Sequence, residues 1–158
     1  MTRSPALNRF LVCPDYSVYY RKAKHFEWES TPGSDYLLVT PLSGHLEYST
    51  NNERGHLDSS RVVILNPYTT LRVVGNYVDV LQLSISSALL IQLAISMNSI
   101  PPKSTIAFPP EPLTNDDSLN RLLLSLQKEL LADEPGREIL MRALVEQMLV
   151  QVLRQHSV

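Results

Sequence analysis

The stretch that decides the fold is 61-RVVILNPYTTLRVVGNYVDVLQLSI-85. Its β-branched and aromatic residues fall into short extended runs, 61–66, 70–74 and 77–85. Asn66-Pro67 and Gly75-Asn76 punctuate them, residue pairs that interrupt strands because of proline's fixed φ and glycine's freedom. The same rhythm extends upstream. The runs 17-SVYYRKA-23 and 25-HFEWES-30 precede the breaker 31-TPGS-34, and 35-DYLLVT-40 precedes 41-PLSG-44. The alternating 45-HLEYST-50 leads to a hairpin turn at Asn51-Asn52, and RGHLD supplies one more short run. Seven or so strands with short loops close most readily into a barrel or sandwich, here over about 15–85.

At Ser86-Ser87 the period changes. SSALLIQLAISM predicts a short helix over 86–97 with serine at its N-cap. A proline-stiffened connection over 98–114 follows, and 115–156 reads as two helices. In the first, Asn115, Asp116 and Asp117 supply capping oxygens and negative charge. Leu119, Leu122, Leu123, Leu126 and Leu130 form one stripe, while Leu124 and Leu131 fall off it. DEPGRE breaks the chain, and the last helix is apolar nearly all round. Ile139, Ala143 and Val150 point one way and Leu144, Met148 and Val152 roughly the other, so it needs burial on two sides.

Composition bounds the function classes. The 158 residues, 44% hydrophobic and 19% charged, suit one folded domain. A net charge of −2 gives no general attraction for nucleic acid or anionic membrane. The lone cysteine, Cys13, cannot form an internal disulfide, and no signal-peptide or membrane-spanning run is present. A cytoplasmic protein with no membrane partner is expected.

Catalytic signatures are missing. His25, His45, His56 and His156 lack the His-x-His spacing of a barrel metal site, so neither a metal nor another cofactor is expected. Glu47, Glu53, Asp58 and Asp79 are scattered beside turns and read as solvated charges rather than a paired acid and base. Ser84, Ser86 and Ser87 lie outside any Gly-x-Ser-x-Gly elbow, and capping explains them better. No catalytic residue is assigned. A small-molecule pocket is the stronger reading. On one alternation phase its lining would be Tyr36, Thr40, Tyr48, Gln82 and Ser84, with His25 and Trp28 as a lid from a loop-like segment. A one-residue error of phase would place the opposite set inside.

The stretch 36-YLLVTPLSGHLEYSTNNERGHLDSSRVVILNPYTTLRVVG-75 resembles the sensor domain of AraC-family transcription regulators. The likeness rests on a G-x-L-x-Y strand, Gly44-His45-Leu46-Glu47-Tyr48, followed by Val62-Val63-Ile64-Leu65-Asn66-Pro67. The passage VDVLQLSISSALLIQLA and the closing helix pair are similar too. The resemblance implies a cupin-like, jelly-roll β barrel, mainly β with α, followed by a pair of C-terminal helices. It implies transcription regulation for the parent protein, with this domain as a regulatory module that binds a small-molecule effector. Leu124, Leu131, Leu144, Met148 and Val152 are the expected homodimer interface. DNA would be reached only through a C-terminal helix-turn-helix domain absent from this chain. The competing readings are a stand-alone, metal-free cupin-type enzyme or binding protein, and a structural interaction domain without a ligand.

Overall fold

The computed structural model describes residues 7–51, 53–97 and 106–156. Eight antiparallel strands form the sheet: β1 (Leu7–Val12), β2 (Tyr16–Glu29), β3 (Tyr36–Ser43), β4 (Leu46–Ser49), β5 (Arg54–Leu57), β6 (Arg61–Leu65), β7 (Arg72–Ile85) and β8 (Leu113–Thr114). Helix α1 (Ser87–Ser96) follows β7, and α2 (Asp117–Ala132) and α3 (Arg137–His156) close the chain. The strand order is β1-β2-β7-β3-β6-β8, with β4 joining β7 to β5.

β7 organises the sheet. One edge pairs with β2 from Tyr16↔Ile85 to Glu29↔Arg72. The other edge pairs first with β3, Tyr36↔Ile85 to Ser43↔Asp79, and then with β4, Glu47↔Val74 to Ser49↔Arg72. Gly75-Asn76 therefore does not end a strand. It lies at a corner that β7 turns while staying paired. A Cβ on Gly75 would sit 2.7 Å from the His45 carbonyl oxygen, and one on Gly44 (φ +82°) would sit 2.8 Å from the Tyr77 carbonyl oxygen. The two glycines let the backbones touch where both strands bend. Tyr77 takes φ 53° at the same corner. The ladder is also irregular there, shifting between Pro41 and Ser43.

Other boundaries differ from the sequence reading for related reasons. The runs 17–23 and 25–30 are one strand, β2, because its partner β7 is continuous. PLSG does not turn the chain at its start: β3 runs through Pro41 to Ser43, and the turn comes at Gly44. β1 extends the sheet upstream of residue 15, pairing Leu7↔Lys22 to Val12↔Ser17. Of the expected hairpin turn, Asn52 lies outside the described residues, as do 98–105 of the expected connection. That connection ends in β8, which pairs Leu113 with Val62.

Two apolar clusters show the layering. Phe26, Val39, Leu46, Tyr48, Leu57, Val63, Leu65, Leu71, Val73, Val78 and Val80 fill the space between the two halves of the bent sheet. The opposite face of the first half packs against the helices. Tyr16, Val18, Tyr20, Tyr36, Leu38, Val62, Ile64, Leu81, Leu83 and Ile85 meet Leu89, Leu90, Leu119, Leu123, Leu126, Leu130, Met141, Val145 and Met148. The helices start as their sequences imply. The Ser86 hydroxyl accepts from the Leu89 N–H at 3.1 Å, and an Asp116 carboxylate oxygen accepts from the Leu119 N–H at 2.8 Å. Asp133 and Gly136 adopt positive φ in the tight connection between α2 and α3. Among the described residues no helix is long and apolar enough to cross a membrane.

Candidate ligand cavity at the barrel mouth

A cavity of about 540 Å³ opens at one end of the barrel, beside the segment that carries Ser30, Thr31, Ser34 and Asp35. Its floor follows from strand register. Cross-strand partners point to the same face, so Ser17, Ser84 and Leu37 form one inward row, and Tyr19, Gln82 and Val39 the next. Arg21 adds its side chain one step deeper on β2, opposite Val80. Trp28 and Leu65 close the walls.

Gln82 is the notable group. It is 3% exposed, and its Oε1 has no hydrogen-bond partner among the described residues. A buried acceptor without a donor is costly, and such groups are rare in folded proteins. Nearer the rim, Ser84 Oγ donates to Asp35 Oδ2 at 3.0 Å, and Ser87 Oγ donates to the Ser34 carbonyl at 2.6 Å. The Ser30 hydroxyl accepts from the Leu71 N–H at 2.8 Å. These bonds tie the rim segment to the barrel.

The side chains of Trp28, Gln82 and Ser84 stand at this cavity. Tyr36 borders it, but its ring belongs to the helix face. There its hydroxyl donates to the Ile106 carbonyl at 2.5 Å and its ring meets Phe108 edge-on. Burial pushes the Tyr36 phenol above the usual tyrosine range, although the Ile106 contact partly opposes this. Thr40 is fully buried away from the cavity and donates to the Arg61 carbonyl at 3.0 Å. Tyr48 lies inward but beyond the corner, among the second half's apolar residues. The expectation of one common phase fails first at the register, which pairs Tyr36 with Ile85 and Thr40 with Leu81 and so puts both on the face opposite Gln82 and Ser84. The corner then separates Tyr48 from them. Trp28 is held in β2 rather than in a loop. His25, on the other face of β2, is exposed beside Asn76 and Glu27 and covers nothing. Arg21, Tyr19 and Ser17 were missed. The signal for them was the alternation of SVYYRKA, whose polar residues at 17 and 21 share a phase.

The barrel does not present a metal-binding set. Among the described residues no three His, Cys, Asp or Glu side chains gather where they could hold one ion. His25, His45 and His56 are all exposed.

The helices place the other expected residues. Leu124 and Leu131 are 44% and 43% exposed on α2. Leu144 is half-buried against the core. Met148 and Val152 are 0% and 1% exposed, packed inside the chain's own core with α2 and the sheet, and they offer no surface to a second copy. Ile139 and Leu140 are exposed instead.

A family model described as Cupin matches residues 99–157, the region of β8, α2 and α3. One solved structure shares the architecture over most of the chain. The AraC-like transcriptional activator CuxR superposes with a TM-score of 0.58 at 12% identity, covering 92% of this chain and 56% of that one. A cupin superfamily protein from Desulfitobacterium hafniense DCB-2 gives 0.48 at 13% identity, over 54% and 82%. The Schizosaccharomyces pombe Cnp3 cupin domain gives 0.47 at 11%, over 58% and 68%. Curated protein sequences yield no match. The fold is a cupin fold with helices appended at its C-terminal end.

Proposed function

We propose that this domain is the sensing and pairing module of a cytoplasmic, AraC-type transcription regulator. The observation that carries the reading is the barrel-mouth cavity lined by Gln82, whose buried Oε1 has no hydrogen-bond partner among the described residues. A small molecule that supplies a donor there completes a hydrogen bond the protein leaves open. The cavity's size falls within the range of small-ligand sites.

The sheet also supplies a route from ligand to helices. Gln82 and Ser84 face the cavity, while Leu81, Leu83 and Ile85 of the same strand pack against the helix layer. On β3, Leu37 faces the cavity and Tyr36 and Leu38 face the helices. Displacing one face moves the other, because a packed interior does not absorb strain locally. The exposed leucines of α2 and the start of α3 are the surface on which two copies meet. DNA contact belongs to a further domain. The arrangement shared with an AraC-like activator over 92% of this chain supports the regulatory reading. Asp35 is exposed at the rim and engaged by Ser84.

The test is a fusion of residues 1–158 to a DNA-binding module that represses a reporter only as a dimer. Repression is expected, and Leu124→Glu with Leu131→Glu should relieve it. A fusion that accumulates as folded protein yet never represses overturns the reading.

A further inference from the structure

We infer that the barrel-mouth cavity selects a small organic anion bearing a hydroxyl group, with Arg21 receiving the carboxylate and Gln82 accepting the hydroxyl proton. This rests on the sensor reading and specifies the chemistry of the same site.

Arg21 carries the first half of the argument. Among the described residues three arginines, Arg21, Arg137 and Arg142, are half-buried. Arg137 has Asp133 at 3.4 Å, and Arg142 has Asp15 at 2.9 Å and Glu146 at 2.8 Å. Among the described residues Arg21 has no carboxylate in ion-pair range. Its guanidinium lies over the Tyr19 ring, 5.7 Å from the centroid. A partly desolvated cation without a counter-ion, held on an aromatic plane at a cavity wall, is poised to take a carboxylate in a charge-assisted, two-pronged hydrogen bond.

Gln82 carries the second half. Its orphan oxygen accepts and cannot donate, so a carboxylate does not satisfy it and a hydroxyl does. Tyr19 and Gln82 are cross-strand partners, and Arg21 stands two residues further along β2. Their backbone positions are therefore about 7 Å apart along the strand, and the Arg21 guanidinium leans back over the Tyr19 ring toward Gln82. An anion and a hydroxyl carried on one ring can reach both side chains together. Trp28, Leu37 and Leu65 offer apolar wall for the ring's face.

Trp28 is the sole tryptophan, so its indole N–H resonance reports occupancy without ambiguity. Titrations with 4-hydroxybenzoate, 4-hydroxybenzamide and benzoate test the two contacts. Galacturonate against galactose separates a sugar acid from an aromatic one. At least one hydroxylated anion should shift the indole saturably and bind at least about tenfold more tightly than its neutral counterpart. Arg21→Gln should abolish that preference, and Arg21→Lys should retain part of it. Gln82→Leu should abolish the preference for 4-hydroxybenzoate over benzoate. Thermal melts of each variant establish that it is folded. Neutral probes binding as tightly as anions, or an anion preference that survives Arg21→Gln, overturn the inference and leave the sensor reading standing. Silence of every probe also overturns it. The sensor reading then stands or falls by the reporter fusion, which depends on no particular ligand.

Discussion

Gly75 and Gln82 stand seven positions apart on one strand and show how differently single residues can be read. In the sequence Gly75 looks like a break between two strands. In three dimensions it is what keeps the strand whole, because its bare Cα admits the His45 carbonyl and the Leu46 side chain at 2.7 and 2.8 Å from where a Cβ would stand. Replacing it by valine should cost about 2–4 kcal/mol, since backbone must move to relieve the overlap. Urea denaturation should show the midpoint falling with little change of slope. Gln82 was legible as a polar residue inside an apolar strand, but its neighbours were not. The period-2 rule assumes an unbroken pleat, and the corner at Gly44, Gly75 and Tyr77 breaks it. Tyr36 and Thr40 lie before that corner and miss Gln82 for another reason: the register pairs them with Ile85 and Leu81, and a sequence does not show how two strands are offset. Gln82→Leu removes the unpaired acceptor at similar volume and should raise the stability of the free protein by about 1 kcal/mol. An unchanged or lower denaturation midpoint would contradict the burial of an unsatisfied oxygen.

At the scale of elements, caps and stripes were the most readable features, because they depend on local geometry. Asp116 caps α2 and also accepts a hydrogen bond from the Gln155 side chain of α3. Asp116→Ala should therefore cost about 1–2 kcal/mol, the upper range for a lost cap, and Gln155→Ala should cost less. Thermal melts of the two variants give the order. The contact between sheet and helices was less readable, since it joins residues far apart in sequence. Tyr16, Tyr20 and Tyr36 all lie on that buried face, and burial raises each phenol above its ordinary range. For Tyr16 the Cys13 contact adds to the rise, and Arg142 partly opposes it. Raised pKa values mean that the folded chain holds these protons when the unfolded chain has released them. Their stabilisation is complete below pH 10, the unfolded phenol's range, and is lost as pH climbs beyond it. Denaturation midpoints should hold up to about pH 10 and then fall. Phenolate absorbance should show these tyrosines ionising later than free tyrosine. Midpoints indifferent to pH through that window would contradict the packed phenol layer.

At the scale of the whole molecule, the question is what α2 and α3 leave uncovered. The sequence shows that their apolar residues exceed what one contact can bury. It does not show which face turns inward, because α3 is apolar nearly all round and its orientation is set by the sheet. The structure turns Met141, Val145, Met148, Leu149 and Val152 inward and leaves Leu124 and Leu131 exposed on α2 and Ile139 and Leu140 exposed at the start of α3. Ile139 is 77% exposed and Leu140 51% exposed, in a region where α2 already presents two leucines. A two-fold axis through this region lets each apolar ridge meet its own copy, the least demanding way to cover it. Burying the exposed half of a leucine contributes about 1 kcal/mol, so the four copies of Leu124 and Leu131 in a dimer contribute about 4 kcal/mol. Replacing both by glutamate should weaken association roughly a thousandfold, before counting the charge repulsion across the axis. Sedimentation equilibrium at tens of micromolar should find the wild type dimeric and Leu124→Glu, Leu131→Glu monomeric with an unchanged melting profile. Met148→Ala should instead lower the melting temperature, because Met148 belongs to the subunit's own core. A wild type that stays monomeric at that concentration, or a double variant that still pairs, would place the interface elsewhere.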